Sequence, residues 1–142
     1  MAKFKFRFEK VLQFRSDAAE AAKRGFMEAR ARTLAQEAEK VKLLERKAET
    51  LKRGGRGLAE RLSLMAFVDR LDGETTEQDI VLGVLRDEEE AARQKWITAR
   101  QEFEAIEKLR ANQFEEWNLK LLAEEQKMLD EFAIMRRGSQ CA

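Results

Sequence analysis

Not one proline occurs in this chain of 142 residues. At the usual frequency of about 5%, several would be expected. Proline lacks the backbone donor an α-helix needs, and its ring clashes one turn back. A chain without it is free to run in long, unbroken helices. Composition points the same way: 39% of residues are charged and only 8% aromatic, which is too polar for a thick round core. With 44% hydrophobic residues and a net charge of +1, it is not disordered composition either. Ala, Glu, Lys, Leu and Arg dominate, as in coiled coils.

The hydrophobic pattern divides the chain. A first helix is predicted from about Phe8 to Lys52, with Met27, Ala31, Leu34, Ala38 and Val41 spaced four and three apart like a coiled-coil seam. After one three-three step the stripe continues through Leu44, Ala48 and Leu51. Gly54-Gly55-Arg56-Gly57 then reads as a helix break. Residues 58–73 read as a short helix, with Asp72-Gly73 as a turn signal and Thr75 or Thr76 as the next cap. A last helix is predicted from about Glu77 to Arg137. Its seam is Leu85, Ala92, Trp96, Ala99, Phe103 and Ile106, continued after a phase shift by Phe114, Trp117, Leu121, Met128, Phe132 and Met135.

Residues 1–61 hold 17 Lys/Arg and 9 Asp/Glu, whereas residues 62–142 hold 11 and 18. A basic half followed by an acidic half favours pairing within one chain over parallel self-pairing of either half. The expected fold is therefore all-α: a single antiparallel two-helix coiled-coil hairpin with a short helix near the turn. Both chain ends would then lie at one end of the hairpin, close to Phe132, Met135, Arg136 and Arg137.

The residues give little support for catalysis. There is no histidine, and no nucleophile has a base beside it. The glycine cluster lacks the G-K-[ST] ending of a phosphate loop. Asp87 to Glu90 fan around a helix and read as a solvated face. Cys141 is the only cysteine, so it makes no internal disulfide and reads as an incidental thiol. No cofactor or metal is expected. No run of 18 apolar residues marks a membrane span, and no apolar core of a signal peptide follows the basic start, so a cytoplasmic location is expected. The opening KFKFRFEK could suggest nucleic acid or an anionic membrane, but the patch is short and the second half acidic. Its period-two alternation resembles a strand. It is better explained as a helix start with Phe4 and Phe8 on one face, beside Val11 or Leu12, and Phe6 open to a foreign protein.

The start KFKFRFEKVLQFR and the end QKMLDEFAIMRR together resemble the flagellar export protein FliJ family, and the resemblance covers nearly the whole chain. It implies a non-enzymatic coiled coil similar to the central stalk of rotary ATPases. Such a protein sits at the cytoplasmic base of the flagellar type III export apparatus. Its terminal end enters the ring of the export ATPase (FliI-like) and promotes hexamer assembly. It also contacts the export gate (FlhA-like) and some export chaperones. The ring contact implied here is Phe4, Lys5, Phe6, Arg7, Lys10, Phe132, Met135, Arg136 and Arg137. The gate contact implied is Phe67, Leu71, Glu74 and Gln78. The alternatives are an export chaperone that escorts substrates and the equivalent stalk of a virulence secretion system.

Overall fold

A computed structural model describes residues 3–141, with side chains through Ser139. Two helices account for nearly all of it: α1, Glu9–Arg53, and α2, Leu58–Cys141, packed against each other as a helical hairpin. No strand occurs among the described residues. Glu9 stands in the first turn of α1 and Lys52 and Arg53 in its last, matching the helix dipole at both ends.

The turn follows from its glycines. Gly54 has φ 63°, the left-handed conformation that ends α1, and Gly57 has φ 87°. At Gly55 a Cβ would lie 3.0 Å from the Arg61 nitrogen, so the chain packs too closely there for a side chain. The Arg56 N–H donates to Glu60 Oε2 at 2.6 Å, satisfying a free donor at the start of α2.

The separate short helix and the turn at Asp72-Gly73 are not formed. Residues 58–73 are the first turns of α2, which passes through Gly73 without interruption. Thr75 and Thr76 are not caps; their hydroxyls donate back to Leu71 O (2.9 Å) and Asp72 O (3.0 Å) inside the helix. Gly73 costs a helix about 1 kcal/mol. Burial of the flanking Leu71 and Leu82, which are 2% and 1% exposed, outweighs it.

Packing divides into two compact units, Ala18–Ala99 and Met1–Asp17 with Arg100–Ala142. In the first, α1 covers a strict four-three series: Ala19, Ala22, Phe26, Ala29, Thr33, Gln36, Lys40, Leu43, Lys47 and Thr50. From α2 it meets Leu64, Val68, Leu71, Thr75, Gln78, Leu82, Leu85, Glu89, Ala92 and Trp96. A 3.5-residue repeat of this length is a coiled-coil seam. Phe26 stacks on Trp96 with ring centres 5.5 Å apart. The Thr33 hydroxyl donates to Ala29 O at 3.1 Å and reaches Leu85 O of the other helix at 3.5 Å. Lys40 and Lys47 bury their stems in the seam and end on Asp79 (2.5 Å) and Asp72 (2.6 Å), with Arg86 on Glu37 alongside (3.3 Å).

The seam of α1 is thus not the apolar stripe expected from the sequence. Met27, Ala31, Leu34, Ala38, Val41, Leu44, Ala48 and Leu51 all face outward. The reason is continuity. Followed towards the N-terminus at the same spacing, that stripe runs into Arg24, Glu20 and Asp17, whereas the observed series continues through Ala22 and Ala19. A partner as long as α2 selects the longer match over the locally greasier one. On α2 the expected Leu85, Ala92, Trp96, Ala99, Phe103 and Ile106 are all half-buried.

In the second unit, Leu12 and Arg15 of α1 stand with Phe103, Ile106, Arg110, Gln113 and Trp117 of α2 as half-buried positions. Arg15 binds Glu102 at 2.5 Å and Arg110 binds Glu9 at 3.1 Å. Here α1 ends and α2 does not.

Candidate functional site

Residues 3–8 form neither strand nor helix. Residues 3–6 belong to no regular element, Arg7 and Phe8 form a turn, and α1 begins at Glu9. The alternation of aromatic and basic residues therefore describes an irregular segment laid on a helix. Phe4 meets Phe114 edge-on (ring centres 5.2 Å apart, planes at 81°) and lies 5.8 Å from Trp117. The Arg110 guanidinium sits 5.7 Å above the same ring. Phe6 is only 8% exposed and packs edge-on with Phe8 at 5.9 Å. The expected open Phe6 is therefore corrected: Phe8, at 38%, is the more exposed of the pair. Turning the chain at residues 7 and 8, rather than continuing the helix, tucks Phe6 in. Lys5, Arg7 and Lys10 remain exposed.

Beyond Leu121, every residue of α2 up to Ser139 is exposed. Extending the four-three seam from Trp117 would call on Lys120, Glu124, Lys127, Glu131 and Ile134, nearly all charged. The apolar residues are instead Leu121, Leu122, Met128, Leu129, Phe132 and Met135, about one residue (roughly 100°) around the helix. Glu125, Met128, Leu129 and Phe132 line a shallow apolar groove on this face. Phe132 and Met135 are 67% and 73% exposed, and Arg136 and Arg137 follow them. Met128, Phe132 and Met135 are therefore not a continued hairpin seam, because no part of α1 reaches them.

The two halves of the expected ring contact are not brought together. Phe4 is level with Phe114 and Trp117, and Phe132 lies about 22 Å further along α2. The signal for a broader terminal face, Leu122 and Leu129 beside the expected residues, is the apolar i, i+3, i+4 spacing of its last four turns.

The expected gate contact is also altered. Phe67 is half-buried, with the Arg70 guanidinium 5.6 Å from its ring centre. Leu71 is buried in the seam and cannot present itself to a partner without opening the helix pair. Glu74 and Gln78 are half-buried. The Gln78 Oε1 is buried with no hydrogen-bond partner among the described residues. The one-residue offset of α1 brings its seam onto Leu71, Thr75 and Gln78, which is why these positions turn inward.

Among the described residues, no group of three His, Cys, Asp or Glu could hold a metal ion, and no helix is long and apolar enough to cross a membrane. On the surface of α2, Glu90 has its carboxyl held below the ordinary carboxylate range. The hydrogen bond from Gln94 Nε2 is the main cause, against a small opposing effect of burial and with help from Arg93. The chemistry on display is that of surfaces: an aromatic-fastened start, an unpartnered amphipathic end and a charged exterior.

These features define a helical-hairpin protein whose longer helix outruns its partner. A family model for the flagellar FliJ protein matches residues 4–140, nearly the whole chain, and the chain belongs to that family. It is accordingly a component of the flagellar type III export system. No curated protein and no solved structure matches it significantly.

Proposed function

We propose that this protein is the central stalk of the export ATPase ring at the cytoplasmic base of the apparatus, with the end of α2 as its ring-contacting element. The observation that carries the reading is the apolar face from Leu122 to Met135. It is turned off the hairpin seam, left uncovered by α1, and followed by Arg136 and Arg137. A face of this kind suits a foreign helix or pore wall better than the protein's own partner helix. The exposed Lys5, Arg7 and Lys10 supply a second, basic contact further back. Coupling to the export gate falls to Phe67 and Glu74, with Leu71 and Gln78 holding them from the seam. Export chaperones are further partners in this reading.

The test is addition of the protein to its cognate export ATPase. Turnover and the hexamer fraction should both rise, and Phe132→Glu with Met135→Glu should remove the effect while the helix content by circular dichroism is kept. Full stimulation by that double variant would sink the assignment of the ring contact.

A further inference from the structure

We infer that the outward face of α1 is a second coiled-coil seam, and that its occupant is the same face of a second copy of this chain, packed antiparallel. The proposal is independent of the stalk reading, because this face lies wholly on residues 27–51 and shares no residue with the end of α2.

The observation is an apolar four-three series with nothing on it. Met27, Leu34 and Val41 are 51%, 54% and 51% exposed, and Ala31, Ala38 and Ala48 lie in register between and after them. A solvated helix face has no need of a 3.5-residue apolar repeat, whereas a helix shared between two coiled coils does. The stripe from Met27 to Ala48 is about 33 Å long and about 10 Å wide, so roughly 300–350 Å² per chain. That is the size of a functional surface patch, and well below the ~800 Å² per partner of a stable complex. The association is therefore weak.

Size and charge select the occupant. With a twofold axis level with residue 36, antiparallel pairing puts Ala38 of each copy opposite Leu34 of the other, and Ala31 opposite Val41. Each layer joins a small side chain to a large one, so the layers can interdigitate. The Glu45 stem covers Met27 rather than another carboxylate. On one flank Glu28 of each copy comes beside Lys42 of the other, twice over, and the two Ala35 methyl groups meet near the axis, where their small size lets the helices approach. Lys42 rests on Glu39 of its own chain at 3.3 Å, an exposed pair that exchanges partners at little cost. On the other flank Arg30 comes beside Leu44. Glu37 meets its own copy there, but Arg86 already holds it at 3.3 Å within its chain. Parallel pairing would stack Glu45 on Glu45 and Arg24 on Arg24 in the seam, which is unfavourable.

Sedimentation equilibrium of the full chain from about 10 to about 500 µM should show the mass rising towards twice the monomer, as expected for an interface this small. Leu34→Glu should hold the protein at monomer mass, and Phe132→Glu should not. Glu28→Lys should weaken association about threefold to tenfold, and adding Lys42→Glu should restore it. In a Cys141→Ser background, Ala35→Cys should form a disulfide-linked dimer under mild oxidation, and Gln94→Cys on α2 should not. A mass that stays monomeric throughout overturns the proposal. So does dimerisation that survives Leu34→Glu but is lost in Phe132→Glu, which would put the contact on the end of α2. Failure of the double charge swap to restore association overturns the antiparallel register, because a parallel pair sets Glu37 against Lys42 and Lys23 against Glu28.

Discussion

Phe26 and Met27 are neighbours with opposite fates. Phe26 is 9% exposed and stacked on Trp96, whereas Met27 faces water. Phe26→Ala should cost about 3–5 kcal/mol, the range for emptying a well-buried aromatic site. Met27→Ala should change stability by less than about 0.5 kcal/mol in dilute solution. Urea unfolding followed at 222 nm distinguishes them, and equal costs would mean that α1 is rotated from the orientation described. At this scale the sequence was a poor guide to α1 and a good one to α2. Trp96 and Phe103 are bulky and regularly spaced, so period alone found them. Beside Phe26 and Leu43, the α1 seam is built of three alanines with Thr33, Gln36, Lys40, Lys47 and Thr50, types that hydropathy ranks below the leucines and valine of the outward stripe. They are inside because small residues let the helices approach and because the lysine stems are apolar along most of their length. Phe6 was misread for a related reason: a helical wheel has no meaning for a segment that is not helical.

At the scale of the element, α2 is legible as a helix but not as one unbroken helix. Asp72-Gly73 carries a turn signal that tertiary packing overrides, while Gly54 carries the same kind of signal and is obeyed. Two substitutions separate the cases. Gly73→Ala, helical and with open space around it, should stabilise by about 0.5–1 kcal/mol. Gly54→Ala, at φ 63°, should destabilise by about 1–2 kcal/mol. The midpoint of urea unfolding should move in opposite directions for the two. The ion pairs across the helices belong to this scale as well. Lys40→Glu should place two carboxylates together where Asp79 now binds lysine, and Asp79→Lys in the same chain should recover most of the loss. The coupling in the double-mutant cycle should be about 0.5–1 kcal/mol, since both groups are partly exposed.

For the whole molecule, the hairpin and the pairing of a basic half with an acidic half are legible because they rest on sums over many residues. The place where pairing stops is not. It depends on the exact offset between two helices of 45 and 84 residues, which no local pattern encodes. Removing residues 122–142 should leave the thermal midpoint within a few degrees, because residues 122–139 are all exposed, and should abolish stimulation of the export ATPase. A large fall in the midpoint would mean that the segment contributes to folding and not only to contact.

The order of contacts along the hairpin has a kinetic consequence. The Gly54–Gly57 turn is local, while the contacts beyond it join residues ever farther apart. Thr33 and Leu85 are separated by 52 positions, Arg15 and Glu102 by 87, and Glu9 and Arg110 by 101. Loop-closure entropy favours the short links first, so assembly zips outward from the glycines. The aromatic clasp of Phe4 on Phe114 and Trp117 closes one of the longest loops, and it waits on residues that leave the ribosome more than a hundred positions after it. Of the two segments it joins, the one synthesised earlier waits the longest for its partner.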